Sequence, residues 1–368
     1  MKVIETEVAV VGGGMIGAAT GYGLSKLGLD TVILDEGDVA FRAARGNFGL
    51  VWVQSKGFGT PEYSKWSCGS ADSWSEFATS LRNEVDIDVG HERKGGLVFC
   101  YSEEEFSNRA RDMQAMADDQ DGRFSYEMVE KKWLEGLFPS LGDNVFGASY
   151  CPQDGHVNPL YLLRALHAAF QRRGGRYLPN EPVQSITHGN NGFLLRTRGL
   201  EVRAKKILLA AGLANATLAP QVGLKQPVYP ERGQILVTEK LDPCMGLPSI
   251  ISRQTAEGSI MLGWSAEEVG LNEGTTASVM KDIANLAVTT FPFLQQVKLV
   301  RAWGALRVLT KDGMPIYEQS ETYPGAFAVT AHSGVTLAAS HTNILAGWIA
   351  DGAIPKSMDV FRAERFDV

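Results

Sequence analysis

Residues 7–37 read EVAVVGGGMIGAATGYGLSKLGLDTVILDEG. Val8 to Val11 form an apolar run with the length of a buried parallel strand, and Thr31 to Leu34 form a second. Between them Gly12-Gly13-Gly14-Met15-Ile16-Gly17 satisfies G-x-G-x-x-G and opens a helix-like stretch. Gly12 permits the tight turn out of the strand, Gly14 lets a pyrophosphate approach the backbone, and Gly17 allows close helix–strand packing. The main-chain N–H groups of Met15 and Ile16 then point at the phosphates from the positive end of the helix. Asp35, 18 residues beyond Gly17, ends the second run, where a carboxylate accepts hydrogen bonds from a ribose. Glu36 beside it is able to share that role. The pattern predicts a strand–glycine loop–helix–strand unit that binds a dinucleotide. It serves NAD and FAD alike, while Asp35 argues against the 2′-phosphate of NADP.

Outside that unit, 368 residues provide for about two domains. A composition of 44% hydrophobic and 21% charged residues is ordinary for a globular protein. The net charge of −7, with no dense Lys/Arg block, argues against nucleic acid as a partner. No apolar run reaches the length of a membrane span. The first strand begins almost at Met1, which leaves no room for a signal peptide and makes the cytoplasm the expected compartment. Cys68, Cys100, Cys151 and Cys244 lack metal-type spacing, as do the six histidines, so no metal site is expected.

Further along, residues 62–83 read as helical, with Trp66, Trp74 and Phe77 inward. Residues 92–101 read as a strand, 103–119 as a charged helix and 127–136 as a shorter one. Asn158 and Pro159 have the chemistry of an N-cap and first helical residue for a helix over 159–173. Strands are expected over 182–186, 193–197 and 206–211, the last ending at Gly212. Strand-like segments follow at 229–237, 259–264 and 301–309, with a helix over 275–290 between the last two. A strand over 326–330 then feeds Ala331-His332-Ser333-Gly334 and a closing helix over roughly 335–350. The fold class is α/β (α+β), a Rossmann-type domain plus a β-rich domain, both discontinuous. Residues 1–85, 150–225 and 325–368 are assigned to the nucleotide-binding domain, and 86–149 and 226–324 to the substrate domain.

Taken in order, GGGMIG with Asp35, DGHVNP (154–159), ILLAAG (207–212), PERGQ (230–234), GALRVLTKDGMP (304–315) and AHSGVT (331–336) resemble the D-amino-acid oxidase-like family of FAD-dependent oxidoreductases. The resemblance spans essentially the whole chain. It implies FAD, an amine or amino-acid substrate, and hydride transfer from the carbon next to nitrogen to flavin N5, leaving an imine that hydrolyses. Asp35 stands where the commoner residue is Glu. No Cys or His matches the positions at which relatives attach the flavin, so the FAD is expected to be noncovalent. RGNFGLVWVQSKG (45–57) is most similar to the catalytic β subunits of heteromeric opine, hydroxyproline and proline dehydrogenases. That likeness implies partner subunits carrying further electron carriers. A free-standing glycine or sarcosine-type oxidase is the rival, and a flavoprotein-like assembly subunit without chemistry is a third reading.

The resemblance also assigns residues. Arg307 matches the arginine that holds the substrate carboxylate, for which a guanidinium fork is suited; a structural ion pair is the alternative. His332 reads as a flavin or substrate contact, or else as a satisfied buried histidine. Ser333, Gly334, Val335 and Thr336 would turn backbone N–H groups toward the pyrimidine end of the flavin, with a helix dipole behind them. Arg45, Gly46 and Asn47, and less so Arg42, lie in the loop that runs along the FAD in relatives. Val183 offers its backbone to the adenine edge, and Gly212 is a further backbone contact. Trp52, Arg232 and Trp264 are assigned to the substrate wall, with a core role for Trp52 as the alternative.

Overall fold

The computed structural model describes residues 2–37 and 43–367; Arg42 lies outside them. The first strand, Lys2–Val11, is longer than its apolar core, because residues 2–6 alternate between exposed and buried sides while Val8 to Val11 are fully enclosed. It pairs in parallel with Leu200–Leu209 on one side and Thr31–Leu34 on the other. Arg176–Leu178 extends the sheet in parallel beyond Thr31–Leu34, and Ala326–Thr330 does so beyond Leu200–Leu209. Ile316–Gln319 closes that edge antiparallel, and the hairpin Ser185–Gly189 and Gly192–Arg196 joins Leu200–Leu209. Parallel neighbours require crossovers, and the helix Met15–Lys26 supplies the first of them.

Both faces of this sheet are covered, which is why its central strands read as unbroken Val/Ile/Leu. Val8, Val10 and Ile33 face a layer holding Tyr22, Leu166, Phe170 and Leu345, while Ala9, Val11 and Val32 face a second layer holding Phe193, Leu195 and Val222. The helix Pro159–Arg172 is capped as its sequence predicts: Asn158 Oδ1 accepts from the N–H of Leu160 and Tyr161, at 3.1 and 3.2 Å.

A second sheet places Tyr229–Lys240 antiparallel to Leu299–Leu309 and to Ser259–Leu262. A third joins Gly96–Cys100, Gly147–Cys151 and Glu127–Glu130. These two enclose a separate core around Phe291, Leu97, Leu236 and Ile283. The segment 226–324 also gives one strand, Ile316–Gln319, to the large sheet.

Four segments differ from their sequence expectation. The helical stretch 62–83 is two helices, Pro61–Asp72 and Trp74–Val85, which meet at Ser73. The shorter helix over 127–136 begins instead as the strand Glu127–Glu130, with only Lys131–Leu134 helical; pairing to Gly147–Cys151 overrides local propensity there. The strand expected at 182–186 runs from Ser185, since Pro182 and Val183 cross the sheet end without pairing. The closing helix is delayed to Ala338 and contains a widened π turn at His341–Leu345. There the His341 ring bonds Tyr317 and Thr342 Oγ1 donates to Ala19 O at 3.0 Å. No helix among the described residues is long and apolar enough to cross a membrane.

Candidate active site

The glycine loop joins the first strand to its helix at the carboxyl ends of the parallel strands, the place where open α/β sheets bind ligands. Gly12 takes φ +103°, and a Cβ there would meet Ala210 O at 2.4 Å. At Gly17 a Cβ would lie 1.8 Å from Gly12 O, so strand and helix pack only through glycine. Gly14 differs: a Cβ would meet nothing closer than Ala44 Cβ at 3.8 Å. The packing of the protein itself does not require glycine there and leaves the backbone open to the cavity. Gly14 is also the helix N-cap, and no side chain caps it, which leaves the first N–H groups of the helix available. Asp35 accepts from Gly13 N at 2.6 Å and from Gly37 N at 3.0 Å, so its carboxylate is fixed at the end of the second strand.

A cavity of about 460 Å³ runs from this loop across the strand ends. Gly12, Gly14, Met15, Ile16, Asp35, Glu36, Arg45, Asn47, Val183, Gly212, His332, Gly334 and Val335 all line it. The N–H and C=O of Val183 make no backbone hydrogen bond among the described residues. Unpaired main-chain groups beside a cavity suit a polar ligand edge. Gly212, at φ +59°, turns the chain away at the end of Leu200–Leu209. Asn215 holds this end together, its amide donating to Leu209 O, Val329 O and Thr330 Oγ1.

His332 lines the cavity, and Arg307 and Lys56, which do not, lie within electrostatic reach of it. Leu306 and Val308 line the cavity, so Arg307 between them lies across the strand, where its Nη1 donates to Glu231 Oε1 at 2.8 Å and Ser265 O at 2.7 Å. Its Nε and Nη2 have no acceptor among the described residues. The His332 ring is open to the cavity but walled by protein. That desolvation, with the like charge of Lys56 and Arg307 added, holds its pKa far below the ordinary histidine range, so the imidazole is neutral. The site therefore combines an uncapped helix start, a fixed carboxylate and unpaired backbone at one end with a neutral imidazole at the other, and the Arg307 and Lys56 cations lie within electrostatic reach of that imidazole.

The profile of the DAO family, described as FAD dependent oxidoreductase, matches residues 7–348. The chain belongs to this family. It is 42% identical over 363 residues to an opine oxidase subunit of Agrobacterium tumefaciens (strain Ach5), covering 98% of each chain. The corresponding opine oxidase subunit of Rhizobium meliloti is 42% identical over 364 residues, 99% of this chain and 98% of its own. A glycine oxidase structure from Geobacillus kaustophilus superposes with a TM-score of 0.91 at 23% identity, covering 98% of both chains, a likeness of fold.

This member of the family is thus an FAD-dependent oxidoreductase, and the open cradle at Gly14, the helix start and Val183 fit the adenosine and pyrophosphate of FAD. Several assigned residues lie off the cavity. Arg232 is 3% exposed and committed to Glu267, at 2.7 Å, with Asn272 and Thr276 around it, so it is not turned toward a substrate. Gly46 packs against Ala305 and its carbonyl accepts from Trp303. Asn47, although it lines the cavity, accepts with its Oδ1 from Gly49 N. Ser333 bonds the Tyr63 hydroxyl at 2.9 Å, and Thr336 Oγ1 accepts from Trp52 N at 3.0 Å. Those two contacts, with the delayed helix start, fix the turn 332–336 to the segment 52–63. Trp52 is buried, with its ring against Gly96. Trp264 is 62% exposed at φ +84°, next to the Ser265 carbonyl that Arg307 uses.

Two residues of the site region carried no assignment from the sequence. Asp154, inside DGHVNP, is completely buried and accepts from Val53 N at 2.6 Å, Gln54 N at 3.3 Å and Gln54 Nε2 at 2.6 Å. Burial pushes its carboxyl up, to about 7, against the pull of these donors. Lys56 is the other; the signal for it in the sequence is a lone cation among glycines in SKGFG, directly after the strand that carries the subunit likeness.

Proposed function

We propose that this chain is the FAD-bearing subunit of a dehydrogenase that oxidises the C–N bond of an amino acid or secondary amine, of the opine, D-hydroxyproline or proline class. The observation that carries the reading is Arg307, on the strand whose Leu306 and Val308 line the FAD cavity, with Nε and Nη2 unpaired among the described residues and within electrostatic reach of His332. The full-length likeness to opine oxidase subunits of two organisms supports the substrate class and the presence of partner subunits. Bound in the cavity, FAD supplies the hydride acceptor. The chain's own task is to bind and orient: Arg307 grips a carboxylate, which aims the adjacent carbon–nitrogen bond, and close positioning is a large part of the rate. A neutral His332 leaves the amine nitrogen without a competing cation at that point. The imine product then hydrolyses in water.

In this reading residues 1–85, 150–225 and 325–368 hold the cofactor and 86–149 and 226–324 the substrate, with FAD noncovalent. The fold of the glycine oxidase structure favours a second reading, a free-standing oxidase. The two separate in one experiment: the FAD-loaded protein is reduced anaerobically by substrate, then offered either oxygen or an artificial electron acceptor. Reoxidation by the acceptor with little peroxide formed in air supports a dehydrogenase subunit. Rapid reoxidation in air with stoichiometric peroxide makes it an oxidase.

A further inference from the structure

Lys56 has no ion-pair partner among the described residues. It stands in the turn after the strand Leu50–Val51, between Ser55 at φ +76° and Gly57 at φ +77°, with its N–H donating to Val53 O at 3.0 Å. The turn is held from below by Gln54, which is completely buried. Gln54 donates to Gly96 O at 3.0 Å and to Asp154, and accepts from Arg109 at 2.8 Å and Ser149 at 2.7 Å. A left-handed serine in so rigid a setting is a placed feature and not slack. The side chain it delivers is only partly exposed and lies within electrostatic reach of Arg307, His332 and Asp154.

Of those neighbours only Asp154 favours the charged ammonium, and burial outweighs it, pushing the Lys56 pKa down to about 8. Among the described residues its ammonium makes no ion pair. Glu231 is the partner of Arg307, and Asp154 is saturated by three N–H donors. Two cations therefore lie within electrostatic reach of each other and of a neutral imidazole, and Glu231 pairs only with Arg307. A half-buried cation without an anion is unfavourable unless a ligand brings one.

We propose that Lys56 is a second carboxylate anchor, selecting secondary amines that carry a carboxylate on each side of the nitrogen. This rests on the reading above that the site oxidises an amine. A simple α-amino acid brings one carboxylate, which Arg307 alone satisfies, and its zwitterion has no net charge. An N-(carboxyalkyl) amino acid brings two, on opposite sides of the reacting nitrogen, and its zwitterion is a net anion. That second carboxylate is the anion Lys56 lacks among the described residues.

The test compares iminodiacetate with sarcosine, the same secondary amine with one carboxylate replaced by hydrogen, on the FAD-loaded protein and on Lys56→Gln and Lys56→Arg. Binding is read separately by calorimetry with thiodiglycolate and methylthioacetate, thioether analogues that have no C–N bond to oxidise. The expected result is a loss of roughly tenfold to a hundredfold in thiodiglycolate affinity and in kcat/KM for iminodiacetate in Lys56→Gln. Sarcosine and methylthioacetate should change by less than about twofold, and Lys56→Arg should recover most of the loss. Equal losses for both members of each pair, or none, overturn the proposal, as does slower reoxidation with unchanged binding. If thiodiglycolate binds through Lys56 but neither amine reduces the flavin, the anchor stands and the amine-oxidation reading fails. If both amines reduce the flavin and Lys56→Gln does not discriminate between them, that reading stands and the anchor fails.

Discussion

Gly13 donates its main-chain N–H to Asp35 Oδ2 at 2.6 Å, which ties the middle of the glycine loop to the end of the neighbouring strand. The carboxylate placed for a ribose therefore also shapes the loop that receives the pyrophosphate. Hydrogen bonds to a charged group contribute about 1.5–3 kcal/mol each. Asp35→Ala is expected to weaken FAD binding by about tenfold to a hundredfold or more on that basis, read by fluorescence titration of the apoprotein. Unchanged affinity would remove Asp35 from the cofactor site.

The glycines of the loop differ in what they serve. A Cβ on Gly17 would press on Gly12 O at 1.8 Å, whereas one on Gly14 would enter open space. Gly17→Ala should lower the melting temperature of the apoprotein, as overpacking costs about 1–3 kcal/mol. Gly14→Ala should leave that temperature nearly unchanged and still lose FAD. Thermal melts of both variants with and without FAD check the pair.

Arg307 already spends Nη1 on Glu231 and Ser265, so a substrate carboxylate has to use Nε and Nη2. Arg307→Ala is expected to cut the second-order rate of anaerobic flavin reduction by about thirtyfold to several thousandfold, the equivalent of the roughly 2–5 kcal/mol that losing one partner of a charged pair costs. Arg307→Lys should fall between, keeping the charge without the fork. Rapid-mixing measurements over a range of substrate concentrations test this. A loss confined to stability would instead mark the Glu231 pair as purely structural.

The cofactor half of the site is legible in the sequence because its chemistry is local. Turn, helix start and acid lie within 31 consecutive residues, each constrained by backbone geometry. The order of motifs extends that reading to Val183, Gly212 and His332, all of which line the cavity. Arg232 and Thr336 depart from expectation because nothing in one dimension shows that Glu267 lies across from Arg232, or that Thr336 is claimed by Trp52. The same holds for Asp154, whose partners Val53 and Gln54 are about a hundred residues away in sequence. The strand at 127–130 reads as helix because its pairing partner, not its own periodicity, decides it.

His341 gives the fold a pH signature. It is fully buried, its Nε2 meets the Tyr317 hydroxyl at 2.7 Å, and burial lowers its pKa to about 3. A histidine depressed in the folded state stabilises fully above its unfolded value of about 6.5 and loses that contribution as pH falls toward the folded value. The slope is about 1.4 kcal/mol per pH unit for one such group. Melting temperature should therefore fall steeply between about pH 6.5 and 4, and His341→Gln should start lower at neutral pH with a shallower descent. His91 and His156, lowered by burial to about 4, and His332, lowered to about 3, add to that slope, while Asp154, raised by burial to about 7, opposes it. Parallel profiles for wild type and variant would show that His341 is not the group responsible.

Anaerobic titration of the FAD-loaded protein with an N-(1-carboxyethyl) amino acid, followed by product analysis, tests the central claim most directly. The account predicts loss of the oxidised flavin's visible absorption and the appearance of an amino acid and a 2-oxo acid, one of each per flavin reduced. Full retention of the oxidised spectrum with this substrate and with proline, hydroxyproline and glycine would contradict C–N bond oxidation at the site formed by Arg307 and His332.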